Sequence, residues 1–352
     1  MTSSDARSSR LLACVALAAA ALAFLAGRGG EAQHSVAAYD AIPRGTSLVV
    51  LLDVRKLREA GLGEIAGSDV GALGPIGCGK ELAAGVCELA IALAASPGGE
   101  DAPPDFGVVA TGELPAARLL ACARRTIEKR GGAAVVTRIG SFDTVRDARR
   151  PGEAGEIAVR EGGPLLLGGG AWLRGMIDAA DGRVPAHSGD PLHAALRRSL
   201  APKAAAVATW TPPPGWLARF ADLGDHKTPL DDLRAAALGV EVAPRVAVHA
   251  VLGFGEAASA SSVAKMLGHW KGGGEALIVA RSLGFPLLER LRASAREREL
   301  HVELDLAKDE AERIAERLLG AMSAPPAGAP GSPPGPLQRP SAQPDEIVPA
   351  PR

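Results

Sequence analysis

Ser262 and Lys265 are one helical turn apart, which is the spacing of the serine–lysine pair in penicillin-binding enzymes. In such a pair the lysine activates the serine hydroxyl as a nucleophile. The motifs that accompany the pair, Ser-x-Asn and Lys-Thr/Ser-Gly, have no convincing counterpart here, because Lys271-Gly272-Gly273 lacks the hydroxyl residue. A serine hydrolase that uses Ser262 and Lys265 is therefore the least favoured of the functions that the sequence leaves open.

A second string, from Gly74 to Lys80, has the glycine and lysine spacing of a phosphate-binding loop. In such a loop backbone amides surround the phosphates, and a Ser or Thr after the lysine holds magnesium. Glu81 occupies that position here, and no apolar strand leads into Gly74. A glycine-rich turn explains the string better than a nucleotide site does.

The histidines and cysteines do not form a metal-binding pattern. No His-x-x-x-His pair occurs, no histidine stands with two cysteines at zinc spacing, and the esterase string Gly-x-Ser-x-Gly is absent. The sequence therefore predicts no metal, no cofactor and no catalytic residues. The seven histidines are His34, His187, His193, His226, His249, His269 and His301.

Composition excludes several classes of function. The 352 residues carry 39 Lys and Arg against 40 Asp and Glu, so the basic excess typical of nucleic-acid binders is missing. The 6 Phe, 4 Trp and 1 Tyr offer little surface for stacking bases or sugars. The apolar content of 47 % is enough for real cores, and the length suggests two modules.

The N-terminus has the features of an export signal. Arg7 and Arg10 precede an uncharged apolar run over residues 11–27, which Arg28 ends. We expect residues 1–33 to be either a cleaved signal or an uncleaved inner-membrane anchor, with the body periplasmic or otherwise extracytoplasmic. The only expected membrane contact is this segment, if it stays uncleaved.

Export makes disulfides possible. Cys78 and Cys87 are close enough in sequence to close a short loop in an oxidising compartment, and they are the predicted bridge. Cys122 falls among apolar residues of a predicted helix, where it is expected simply to be buried.

The body alternates between strand and helix patterns. The predicted strands are 47–54, 88–95, 106–111, 134–139, 156–159, 164–167, 204–211, 237–242, 246–254 and 301–306. The predicted helices are 55–60, 115–130, 171–180, 216–223, 257–270 and 309–322.

Clustered strands with occasional helices indicate the α+β class. Because the order of predicted elements repeats, we predict two similar halves of antiparallel sheet packed with helices, over residues 34–185 and 186–322. The repeat is one of pattern and not of residues. The remaining segment, 323–352, holds 10 of the 27 prolines and is predicted to be a disordered Pro/Ala/Gly-rich tail.

Three aromatic residues surround the proline run 212–214 and could line an apolar cleft. They are Trp210, Trp216 and Phe220. In the alternative interpretation, the three side chains fill the core between the two halves.

The opening of the body, Ile42–Val54 (IPRGTSLVVLLDV), resembles that of exported bacterial proteins of unknown function. In those proteins a Pro-x-small-strand-Asp opening follows the signal and begins a duplicated α+β body. Phe106–Gly112 (FGVVATG) and the helix after it fit the same outline. The resemblance implies a fold and an exported location, and it brings no known activity.

Together these observations predict an exported, non-catalytic protein of the cell envelope that acts by binding or scaffolding. Its partner is expected to be an envelope protein or an apolar ligand. A periplasmic carrier of apolar ligands or lipids is the first alternative, and the serine hydrolase is the second.

Overall fold

The computed structural model describes residues 38–60, 85–94, 105–150, 155–200, 202–213, 229–242, 245–272, 290–307 and 309–311. Within these residues the protein is a mixed α+β structure built on a large antiparallel sheet. The predicted signal, the proline-rich tail, Trp216, Phe220 and Cys78 lie outside the described residues.

The sheet has twelve strands, numbered along the chain. They are β1 Leu48–Asp53, β2 Val86–Ala94, β3 Asp105–Gly112, β4 Ala134–Ile139, β5 Phe142–Asp147, β6 Glu156–Val159, β7 Leu165–Gly168, β8 Ala206–Trp210, β9 Leu233–Glu241, β10 Val246–Phe254, β11 Arg292–Arg296 and β12 Glu299–Leu306.

Five α-helices pack on the sheet within the described residues. They are α1 Val54–Glu59, α2 Ala116–Lys129, α3 Gly170–Ala180, α4 Pro191–Arg198 and α5 Ala257–Gly272. Short 3₁₀ helices cover Ala38–Ala41, His187–Gly189 and Pro229–Asp232.

All neighbouring strands are antiparallel, in the order β11-β12-β10-β9-β8-β1-β2-β3-β7-β6-β5-β4. The pairing of β1 with β8 therefore joins the seven strands β1–β7 to the five strands β8–β12 in one continuous sheet. The central position of β1 explains its unbroken apolar sequence, since both of its faces are covered.

The two faces of the sheet have separate hydrophobic cores. On one face, which we call the α2 face, α1 and α2 pack in a cluster that contains Val50 and Leu52, and α5 packs in a second cluster with Leu252 and Leu300. On the opposite face, the α3 face, α3 packs against Val49, Ala92 and Val109, and α4 packs against Ala237 and Val251. This alternation follows from the two-residue period of a strand.

Gly107 of β3 lies in close contact with α3. A Cβ atom at this position would lie 2.5 Å from the sulfur of Met176 and 2.6 Å from Nε1 of Trp172. The lack of a side chain at Gly107 therefore lets α3 lie directly on the sheet.

The α+β class and the antiparallel sheet are confirmed, but three elements were not predicted. The strands β5 and β11 are rich in charged and small residues, so their apolar alternation is weak. Helix α4 was not predicted, although the sequence contains signals for a helix start. Asp190 caps its first turn, and Pro191 occupies its first position.

The predicted boundary near residue 185 is crossed by backbone hydrogen bonds. The Arg44 amide donates to Pro185 O at 2.9 Å, and the His187 amide donates to Ile42 O at 2.7 Å. The connection between the two predicted halves is thus tied to the segment that leads into β1.

Among the described residues, no helix is long and apolar enough to cross a membrane.

Candidate functional site

A single row of side chains crosses the α2 face from one edge of the sheet to the other. Each strand contributes one residue, because the members are opposite one another in the strand pairings. We call these twelve residues the apolar row: Val136, Val145, Ile157, Leu167, Val108, Ile91, Val50, Ala208, Leu238, Ala250, Val302 and Ala293.

Most of the apolar row keeps part of its surface accessible to solvent. Only Val50 and Val145 are buried, whereas Leu238 is 40 % exposed and Val136 is 46 % exposed. At the usual spacing between strands, twelve strands span about 50 Å. Apolar side chains that stay accessible to solvent on a folded protein, such as the other ten, are a common mark of a binding surface.

The apolar row runs between helices that pack on either side of it. Helix α2 shares its buried cluster with Ala110, two residues along β3 from Val108. Helix α5 shares its cluster with Leu252, two residues along β10 from Ala250. The pairings place Ala110 and Leu252 on opposite sides of the row, so the two helices flank it. Between them Val50 is buried and Leu238 is exposed.

Helix α5 is fixed beside the row by a carboxylate at its first turn. Asp232 Oδ2 accepts a 2.7 Å hydrogen bond from the Glu256 amide, and Arg234 Nη2 lies 3.3 Å from Asp232 Oδ1. Burial acts to raise the pKa of Asp232, but these bonds, one from Ser259 and the Arg234 charge hold it below its ordinary value. The ionised carboxylate therefore stabilises the start of this helix.

Trp210, one of the three aromatic residues predicted to line a cleft, lies next to the apolar row. It is on the same face, two residues along β8 from Ala208, and it is half-buried against the α5 cluster. Trp216 and Phe220 lie outside the described residues, so the cleft that the three were predicted to form stays a prediction.

The serine and lysine of the hydrolase hypothesis lie on α5. Ser262 and Lys265 are both exposed to solvent. A nucleophile is activated efficiently where water is excluded and a base is held in place, and this part of the helix surface offers neither condition.

The predicted bridge between Cys78 and Cys87 is wrong. Cys87 is a free thiol, 8 % exposed at the start of β2, and Cys122 of α2 is the cysteine that takes part in a disulfide. Closeness in sequence was misleading because the extended strand turns Cys87 into the core, beside Arg58.

The histidines hold one feature that the sequence did not indicate. Among the described residues, no group of three or more His, Cys, Asp and Glu side chains is placed to hold a metal ion. However, His187 and His193 are both buried, with ring centroids 4.3 Å apart. The capping residue Asp190 and Pro191 at the first position of α4 are the local signals that this segment is ordered.

Comparison with known proteins yields little. No protein-family model matches this chain, and no curated protein matches it significantly in sequence. A solved structure, crystal form I of TP0453, aligns with a TM-score of 0.46 at 11 % identity, over 83 % of this chain and 100 % of that chain. A likeness at this level carries no functional conclusion.

Proposed function

We propose that this protein is an exported, non-catalytic protein of the cell envelope that acts by binding, and that the apolar row is its binding surface. The observation that carries the proposal is the run of apolar side chains that passes between α2 and α5, since ten of its twelve members keep some surface accessible to solvent. Export rests on the basic and apolar N-terminal segment, and the resemblance of Ile42–Val54 to exported proteins agrees with it.

The shape of the row favours an apolar chain, such as that of a lipid, over a folded protein partner. The row is about 50 Å long. Further apolar side chains flank it along the strands, among them Leu48 and Val240. All twelve of its side chains are aliphatic, so the row itself offers no hydrogen bond or charge for specific recognition of a polar ligand. A carrier of apolar ligands is therefore the form of the proposal that the geometry supports best.

The test is binding of a fluorescent fatty acid, dansyl-undecanoic acid, to the full-length protein. We expect saturable binding that Leu238→Asp weakens by about tenfold or more, because the introduced carboxylate would have to lose its hydration against the apolar chain. The matched control is Leu192→Asp on α4. Leu192 is 49 % exposed, and α4 packs on the opposite face of the sheet.

Two results would overturn the proposal. One is the absence of saturable binding by the unmodified protein, and the other is an equal loss of affinity in the two aspartate variants. An acylating serine probe adds a separate check on catalysis, since labelling that disappears in Ser262→Ala would support the hydrolase instead.

A further inference from the structure

A second cluster of polar side chains lies on the α3 face, where the connection between β7 and β8 meets the segment before β1. The ring of His187 lies between those of Tyr39 and His193, tilted to both, with ring centroids 5.6 Å and 4.3 Å away. The guanidinium carbon of Arg197, on α4, lies 4.4 Å from the centre of the Tyr39 ring. Four side chains from three separate segments therefore meet in one place.

One member of this cluster is fully engaged in hydrogen bonds. His193 Nδ1 lies 2.8 Å from the hydroxyl of Thr209, and its Nε2 lies 3.4 Å from the hydroxyl of Thr211. These contacts fix the ring against β8 and account for its burial.

The other three side chains carry buried polar atoms that lack a hydrogen-bond partner in the structure. Both ring nitrogens of His187 are without one, although the residue is 0 % exposed. Nη1 of Arg197 and the Tyr39 hydroxyl are also buried without a hydrogen-bond partner. The guanidinium of Arg197 is nevertheless close enough to Tyr39 to act on the pKa of its hydroxyl. Buried polar groups are rarely left unpaired, so this set calls for an explanation.

The carboxylates near the cluster are already engaged. Asp190 accepts hydrogen bonds from the Leu192 and His193 amides and lies 3.9 Å from Arg44. Glu88 Oε2 is 3.3 Å from the Ala38 amide and 3.3 Å from the Thr111 hydroxyl. Among the described residues, no carboxylate forms an ion pair with Arg197, whose guanidinium lies over the ring of Tyr39.

The protonation states of the cluster suit a ligand that accepts hydrogen bonds. Burial raises the pKa of Tyr39 to about 12, so its hydroxyl keeps its proton and can donate. Burial, with the nearby His193 and Arg197, lowers the pKa of His187 to about 3, so the ring is neutral and carries one donor. Arg197 supplies further donors together with a positive charge.

Arg197 also connects the cluster to solvent. It lines an open groove of about 560 Å³ together with Ala194, Arg198, Leu200 and Pro202. A molecule in this groove meets Arg197 and Arg198. Nη1 of Arg197 and the Tyr39 hydroxyl are buried behind this wall, so a bound ion reaches them only when the Arg197 side chain moves.

We propose that Arg197, with Tyr39 and His187 behind it, binds a small oxyanion, a carboxylate or phosphate group that enters through this groove. The anion would accept hydrogen bonds from Arg197 Nη1 and from the Tyr39 hydroxyl, which satisfies the buried donors and neutralises the unpaired charge. The site is on the α3 face, so it is independent of the apolar row and of the function proposed for it.

The test is calorimetric titration of the full-length protein with sodium acetate and, separately, with inorganic phosphate. We expect saturable binding of at least one of the two, and the preferred ion identifies the class of oxyanion. Tyr39→Phe removes one charge-assisted hydrogen bond and should weaken binding by about tenfold. Arg197→Gln should abolish binding, whereas Arg198→Gln, which removes the same charge from the outer wall of the groove, should change it less than about twofold.

NMR of the histidine side chains distinguishes a specific site from general attraction to positive charge. The ring resonances of His187 should shift on binding, while those of the exposed His269 should not. Equal weakening by Arg197→Gln and Arg198→Gln, unchanged affinity in Tyr39→Phe, or no binding of either ion would each overturn the proposal.

Discussion

Val50 of β1 lies directly opposite Ala208 of β8, at the junction between the seven-strand and five-strand parts of the sheet. Outward from this pair the two parts have the same order. One runs β1-β2-β3-β7 and the other β8-β9-β10-β12, and in each a helix on the α2 face follows the third strand. We propose that the two parts are copies of one unit, related by a two-fold axis through the Val50–Ala208 pair.

An experimental structure would test this duplication. Rotation about the proposed axis should bring Ile91 onto Leu238, Val108 onto Ala250 and Leu167 onto Val302. The added β-hairpin of the first part, with β4 and β5 at the sheet edge, should be left without a counterpart. A best superposition that pairs other residues, or that needs an axis elsewhere in the sheet, would contradict the proposal.

Leu52 tests whether the two parts share one core. Its side chain is fully buried, it pairs with Leu89 and Ala206, and its cluster includes Val242 of the second part. Leu52→Ala should lower the free energy of unfolding by about 2–5 kcal/mol. Leu192→Ala, at a surface position, should change it by less than about 0.5 kcal/mol.

Urea unfolding monitored by tryptophan fluorescence and by far-UV circular dichroism gives both values. Because the core is shared, we expect the two signals to change together in one transition that Leu52→Ala shifts to lower urea. Two separate transitions, only one of which shifts, would show that the parts unfold independently.

The buried His187 should make the protein lose stability as the pH falls below neutrality. Its pKa is lowered from the ordinary 6.5 to about 3. Burial also lowers the pKa of His193, helped by the Arg197 charge and opposed by Asp190. The unfolded chain therefore binds more protons between pH 6.5 and 3, so stability declines as pH falls through this window. His187 alone contributes about 1.4 kcal/mol per pH unit there.

The variant for this prediction is His187→Phe, which keeps a ring beside Tyr39 and removes the titration. Its unfolding free energy between pH 6.5 and 4.5 should vary less with pH than that of the unmodified protein. Replacement of the exposed His269 by Gln is the control. Asp181 and Asp190, whose pKa values are lowered, affect the profile only at lower pH, as they become protonated. An unchanged slope in His187→Phe would show that the ring is not the cause.

The strands of the sheet were largely predictable because burial imposes a pattern on neighbouring residues. Val246–Phe254 and Ala134–Ile139 have the predicted bounds, and β12 begins two residues before its prediction. The strands that were missed, β5 and β11, lie at or next to a sheet edge, where few neighbours require an apolar sequence.

Neither candidate site was predictable in this way, because both depend on which strands are neighbours. Leu238 and Ile91 belong to one row only through the pairing of β1 with β8. Likewise Tyr39 and His187 are far apart in sequence, and backbone hydrogen bonds across the boundary between the two parts bring them together. Local periodicity contains no information on such pairings.

The disulfide of Cys122 gives a last prediction, about the partner of this cysteine. Of the four cysteines, Cys87 is free, and Cys14 belongs to the predicted signal, so Cys78 should be the partner. Peptide mapping of the unreduced protein should recover the peptides of Cys78 and Cys122 linked together.

Cys87 should react with a thiol reagent only after unfolding, because it is 8 % exposed. Cys122→Ser should lower the unfolding free energy by about 2–5 kcal/mol through loss of the cross-link, and Cys87→Ser by less. If Cys87 were instead recovered linked to Cys78, the pairing expected from the sequence would be correct. The position of Cys87 in β2 would then differ from the one described here.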